Sequence, residues 1–415
     1  MPKRANPWAI VALLFLVAVL NYFDRQSLSV VAPRMQAELG LSDTGYGHIV
    51  SLFLLASAFA YALSGFVCDA IGTRRSMALF VAFWSAAEAA TAFASSIFLL
   101  GLTRFCLGLG EPGLWVAAPK AVGEVLERSR RSLAVGIYTA GATMGAIVAI
   151  PAILAVTTHL PWRSIFLIDG AVGLVWVPIW LWLYRESPAE TTASSSGTSV
   201  FRNVIGRRAM WQLLIARGMT DPVWYFYLFW FPKYLLNERH LSSSQMSHLG
   251  WIVYAAAGVG TIVGGSASGI FIRKGLDAPL AYRRTMLCSA VFVLVSPFAY
   301  LSPGIGLTMA FASIVAMAHM SWLTNLTSTI LEVFSMNQVG KAAGLIAAGS
   351  ALGGMLSSEL IGYCLRHGGY RPVFLVMGFM HPLAIALLWT AFRSKPEEQP
   401  SLSFPNQAMA ASESL

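Results

Sequence analysis

Charge is scarce in this chain. Of its 415 residues only 11% are Asp, Glu, Lys or Arg, against about 25% in a typical soluble domain. So few charges cannot wet the surface of a soluble fold of this length, and a mean hydropathy of +0.64 points the same way. Cysteine is scarcer still. Cys68, Cys106, Cys288 and Cys364 all sit in apolar stretches without pairing or ligand spacing, so neither a disulfide framework nor a metal site is indicated. A phosphate-binding Gly-x-x-x-x-Gly-Lys loop, a Gly-x-Ser-x-Gly elbow and a His-Glu-x-x-His pair are all missing. ATP-driven pumping within the chain and the common hydrolytic chemistries go with them, and no cofactor is called for.

Long apolar runs are abundant. Stretches of about 20 residues mark a membrane-crossing helix, and twelve occur, at roughly 8–33, 46–69, 76–95, 98–122, 132–156, 163–184, 210–236, 246–272, 281–301, 304–333, 342–365 and 371–392. The first follows Lys3 and Arg4 in the manner of a signal peptide, yet it is too long and lacks a small-residue cleavage site. It is read as the first span. A polar, Ser/Thr-rich stretch, "RESPAETTASSSGTSVFRNVIGRR", separates spans six and seven. The expected organisation is therefore a six-helix half over 1–184, a cytoplasmic linker over 185–209, a second six-helix half over 210–392 and a disordered tail over 393–415. With the N-terminus in the cytoplasm, most of the 28 Lys and Arg fall in cytoplasmic loops and helix ends, so the positive-inside rule puts both termini there. The net charge of +9 sits in those loops and needs no nucleic-acid partner.

The halves resemble each other. "LSDTGYGH" from Leu41 precedes span two and "LSSSQMSHLG" from Leu241 precedes span eight; "GATMG" from Gly141 in span five answers "GSALG" from Gly349 in span eleven. Matches at nearly one offset suggest a duplicated six-span unit, an arrangement that places a substrate site near the midplane between the halves.

Some residues carry a more specific likeness. "GFVCDAIGTRR" after span two holds Gly65, Asp69, Gly72, Arg74 and Arg75 in the frame of the cytoplasmic loop signature of the major facilitator superfamily. A plain basic turn explains the arginines but not the Gly-xxx-Asp-xx-Gly frame. "NYFDR" in span one, "RFCLGLGEPG" in span four, "PWRSIF" at 161–166 and "TDPVWYFYLFWFPKYL" from Thr220 together resemble the anion:cation symporter family within that superfamily. The likeness covers essentially the whole chain and is to bacterial hexuronate transporters. It implies a twelve-helix, all-α membrane protein of the bacterial inner membrane, acting as a monomer with protons and a small organic anion as its partners.

Each charge inside a span is then a candidate, because one at the bilayer centre costs about 2.5–3.5 kcal/mol on insertion scales. Asp24, Arg25, Glu88, Arg104, Glu111, Lys120, Asp169, Asp221 and Glu359 qualify. Arg25 and Arg104 form a possible carboxylate clamp, since guanidinium stays charged and presents a planar fork. Asp24 and Glu111 are the expected proton carriers: burial opposes their charge and arginine favours it, and a balance between the two can load and release a proton. Structural ion pairing between spans one and four is the alternative reading for these acids. In the second half Tyr227, His319, Trp322 and Asn325, with Tyr61 from span two, make up the rest of the expected substrate wall. Aromatic faces cover sugar C–H surfaces and polar tips satisfy hydroxyls. Two features depart from the family pattern: Ala142 stands where some relatives carry an amide, and "YAAAGVGTIVGG" lacks an expected acid. Proton-coupled symport of a hexuronate or related sugar acid is the leading reading. Transport of another carboxylate (aldonate, aldarate or aromatic acid) and a channel or receptor role stand behind it.

Overall fold

A computed structural model describes residues 6–185, 202–334 and 336–391. Among these residues the secondary structure is helical, without strands. The first half comprises α1 (Pro7–Leu39), α2 (Asp43–Thr91), α3 (Ile97–Gly110), α4 (Pro112–Val125), α5 (Arg128–His159) and α6 (Arg163–Leu183). The second comprises α7 (Arg208–Phe229), α8 (Phe231–Asn237), α9 (Ser243–Leu249), α10 (Ile252–Arg273), α11 (Ala278–Val293), α12 (Ser296–Leu301), α13 (Ile305–Val333), α14 (Met336–His367) and α15 (Arg371–Ala391). All twelve expected spans fall on helix. Ten runs are long and apolar enough to cross a membrane. Of the other two, the second arm of α2 carries Arg74, Arg75 and Glu88, and α7 with α8 carries Arg208, Arg217, Asp221 and Lys233. The linker and tail expected from sequence lie largely outside the described residues.

Local chemistry explains the boundaries. Asn6 accepts from the Trp8 N–H at the start of α1 with Pro7 at the first turn, and Gly40 at φ +61° closes it. Ser42 caps α2 through the Gly45 N–H. Gly72, at φ 80° and ψ 163°, folds α2 into two arms, a conformation that residues with a Cβ strongly disfavour. Span four is α3 and α4 in series, broken where Pro112 follows Glu111 and withholds the N–H owed to the preceding turn. Large apolar side chains such as Phe66, Phe98, Trp182 and Ile262 stay exposed on the outside, as a lipid-facing surface requires.

The packing repeats as the sequence does. In the first half α1 lies on α5 and α2 on α3; in the second α7 lies on α14 and α10 on α13. Between the halves α2 meets α14 and α5 meets α10, so each cross-half pair maps onto the other when six spans are added. At the end of the bundle remote from the N-terminus the halves are tied together. Tyr46 Oη donates to Phe229 O at 2.6 Å, Thr44 Oγ1 to Gly362 O at 3.3 Å and Ser51 Oγ to Met355 O at 3.0 Å. His48 pairs with Glu359 at 2.6 Å, and Lys233 pairs with Asp43. Lys233 is almost wholly buried, its ammonium 5.1 Å from the Tyr46 ring and 5.5 Å from that of Trp230. At the N-terminal end Glu124 accepts from both Thr73 Oγ1 and Tyr184 Oη, and Arg74 donates to Tyr184 O and Leu181 O, bonds that lie within the first half.

Candidate functional site

Six of the nine charges that the sequence strands in mid-span, Asp24, Arg25, Glu88, Arg104, Glu111 and Asp169, converge between α1, α2, α3, α4 and α6. Arg25 donates its Nε to Glu111 Oε2 at 2.7 Å, and both side chains are buried. Its guanidinium carbon lies 5.2 Å from the Tyr22 ring and 5.5 Å from that of Phe53. The break at Pro112 explains why Glu111 can meet it: the residue sits at the joint of α3 and α4, where the helix changes course. Arg104 donates to Glu88 Oε2 at 2.5 Å and to Thr91 Oγ1 at 2.6 Å, with Phe166 over its guanidinium. Glu88, which sequence leaves without a role, is thus the partner of Arg104. Sequence could not join them because a loop and two helix arms intervene.

Asp24, Glu88 and Asp169 present carboxylate oxygens within 4.8 Å of one another, all buried. One oxygen of each lacks a protein partner: Asp24 Oδ2, Glu88 Oε1 and Asp169 Oδ2; so does Glu111 Oε1. Four buried carboxyls therefore stand against the two guanidinium groups of Arg25 and Arg104. Acids packed this closely cannot all stay ionised, and shared protons are the simplest relief. Asp169, on α6, is the member whose place in this group no spacing in the sequence discloses.

Arg25 and Arg104 line one small cavity between the halves with Leu28, Val50, Phe53, Leu107 and Phe229. Its volume of about 10 Å³ holds little more than a water molecule, so the halves are drawn together around the pair. The two arginines are unequally available. Arg104 has its terminal nitrogen engaged by Glu88 and Thr91, whereas Arg25 is held through Nε and keeps its terminal nitrogens.

In the second half the structure redistributes the expected wall. Asn325 donates its amide N–H groups to Gly264 O at 3.1 Å and Ser321 O at 2.8 Å, tying α13 to α10, while its Oδ1 has no partner. Trp322 is fully buried, edge-on to His381. His319 bonds to His381, Nδ1 to Nε2 at 3.1 Å, and lies parallel to Trp224. Tyr227 packs on Phe226 and Phe231 in the core, although its hydroxyl has no partner. Tyr61 remains half-buried near Arg25. Of the loop signature, Gly72 makes the turn, Arg74 caps α6 carbonyls and Arg75 is exposed; the Asp69 side chain lies outside the description. Gly65 stands free, with nothing near its Cβ position.

Sequence inspection singled out Asp221 and passed over Arg217. The two pair on one face of α7, Nε to Oδ2 at 2.9 Å, an i,i+4 spacing that was legible. Ser350 of α14 donates to Asp221 Oδ2 at 2.5 Å, and its hydroxyl lies 3.2 Å from that of Tyr225.

The profile of the Major Facilitator Superfamily matches residues 14–278 and 276–412. The hexuronate transporter of Escherichia coli strain K12 is 24% identical over 408 residues, 94% of each chain. A probable sulfoacetate transporter of Cupriavidus necator is 25% identical over 390 residues, covering 89% of this chain and 90% of that one. Among solved structures, a bacterial homolog of the human lysosomal transporter Spinster, inward-facing and occupied, superposes with a TM-score of 0.78 at 21% identity, over 95% of this chain and 98% of that one.

Proposed function

The chain belongs to the Major Facilitator Superfamily, and from that premise we propose that it is a symporter that couples uptake of a sugar-acid anion, a hexuronate or near relative, to the entry of protons. It is a membrane transporter of organic anions, not an enzyme. The observation that carries the finer reading is the Arg25–Glu111 pair at the seam between the halves. While Glu111 is ionised it neutralises Arg25. A proton on Glu111 removes that competitor and leaves the guanidinium to a substrate carboxylate, so proton and anion favour each other's binding. The Asp24, Glu88 and Asp169 group supplies further protonatable oxygens, and Arg104 pairs with Glu88 within it. Rocking of the two halves about the α2–α14 and α5–α10 contacts then exposes the site to alternate sides. The termini are placed in the cytoplasm by loop charge, and uptake runs into the cell across the bacterial inner membrane.

Paired uptake and counterflow in one proteoliposome preparation tests this reading. Glu111→Gln imitates the protonated acid and cannot discharge. It is expected to abolish accumulation driven by a pH gradient while retaining exchange of labelled for unlabelled uronate. Full pH-driven accumulation by this variant would sink the coupling role.

A further inference from the structure

A larger cavity lies at the end of the bundle remote from the N-terminus. It sits between α1 and α5 of the first half and α8 and α9 of the second, with Val31 and Leu154 in its walls and the exposed residues Arg34, Asn237 and Ser243 at its rim. Its volume is about 190 Å³, that of about six waters at liquid density and room for a small acid. Arg34 donates Nη1 to Thr157 O at 2.7 Å and, among the described residues, has no acidic partner. Glu38, one turn further along α1, is taken by Arg163 and by the Trp162 indole N–H. The helix α1 lines two cavities in series: Arg25 and Leu28 face the small one at the seam, and Val30 to Arg34 face the larger one. Nine residues separate the two arginines, about 13 Å along the axis.

We propose that this cavity is an entry vestibule, in which Arg34 takes the carboxylate of the substrate before it passes to Arg25. The proposal rests on the sugar-acid reading above and adds a first binding step to it. A guanidinium without an acidic partner, set in a cleft with apolar walls, attracts anions because low-dielectric walls focus its field. Its remaining N–H groups suit a carboxylate. Asn237 and Ser243 at the rim offer partners to substrate hydroxyls. Both halves contribute to the cavity, so it widens when that end of the seam opens, and α1 then forms one wall of a path from Arg34 to Arg25. With the termini in the cytoplasm this end faces outward, the side on which uptake begins.

Asn237→Cys at the rim reports occupancy through its rate of labelling by a maleimide, followed by mass spectrometry at that position in purified protein. Glucuronate is expected to shield this cysteine. Arg25→Lys, which acts on the central site, should leave the half-shielding concentration within about twofold, whereas Arg34→Gln should raise it about tenfold, the usual worth of one charge-assisted hydrogen-bonded contact. Arg34→Lys should fall between, since charge returns without the fork. In uptake, Arg34→Gln should raise KM about threefold or more at low ionic strength, and by less in high salt. Shielding that shifts with Arg25→Lys, or that ignores Arg34→Gln, would overturn the vestibule and leave sugar-acid transport standing. Equal shielding by sodium chloride at the same ionic strength would overturn it too, as would a lowered melting temperature of unliganded Arg34→Gln with shielding intact, which marks the bond to Thr157 as structural only. Shielding in a wild type that takes up no glucuronate would overturn the parent reading and leave the carboxylate site at Arg34 standing.

Discussion

In the proposed mechanism, substrate affinity turns on Arg25. Lysine would keep the charge but lose both the Nε bond to Glu111 and the planar edge. Arg25→Lys should therefore weaken uronate binding by tenfold or more in a folded protein, as read by ligand-induced thermal stabilisation. Unchanged affinity would remove Arg25 from the site. Arg104→Met belongs to the opposite case. Its partners Glu88 and Thr91 are internal to the first half, and breaking a buried pair leaves an uncompensated charge worth about 3–5 kcal/mol. Loss of folded yield should precede any change in affinity. Which charges lie in mid-span was legible from sequence. Which charges face each other was not, because Arg25 and Glu111 are 86 residues apart and Arg104 and Glu88 are 16 apart across a loop. Asn325 is the converse case: its residue type suits hydroxyl recognition, yet the sequence does not disclose that its amide N–H groups go to Gly264 and Ser321 while its Oδ1 stays without a partner.

At the scale of the element, small residues set how closely helices approach. A Cβ on Gly353 of α14 would lie 1.9 Å from Gly218 O of α7, with no flexible side chain to yield. Gly353→Val should cost about 1–3 kcal/mol or more through overpacking and lower the melting temperature in detergent. The same change at Gly269, where a Cβ meets nothing within 4 Å, should be tolerated. The "GSALG" repeat was readable as a packing signal, and it holds Gly349, Ser350 and Gly353 together. That Ser350 also anchors Asp221 could not be read from it, since one face of a helix serves two neighbours. The turn at Gly72 was legible because its frame spans only a few residues of chain.

For the whole molecule, the bonds between halves at the end remote from the N-terminus form a clasp, and their removal should bias the protein toward opening there. In Lys233→Met the packing against Tyr46 and Trp230 persists while the pairing with Asp43 is lost. A cysteine introduced at the seam by Phe229→Cys should then react several-fold faster with a membrane-impermeant maleimide applied from that side. No acceleration would mean that the pair does not hold the end shut. An all-helical membrane fold was evident from apolar runs, which are local. The clasp was not, because Asp43 and Lys233 lie 190 residues apart and look like ordinary helix-end charges. The crowding of four carboxyls with two arginines also has an electrical consequence. Each elementary charge carried across the bilayer is worth about 2.3 kcal/mol per 100 mV, so any mismatch between the protons loaded there and the negative charge of the anion turns transport into a current. In vesicles clamped by a potassium ionophore, the coulombs passed per labelled anion would count the protons, and an inside-negative voltage would speed uptake whenever that count exceeds the anion's charge.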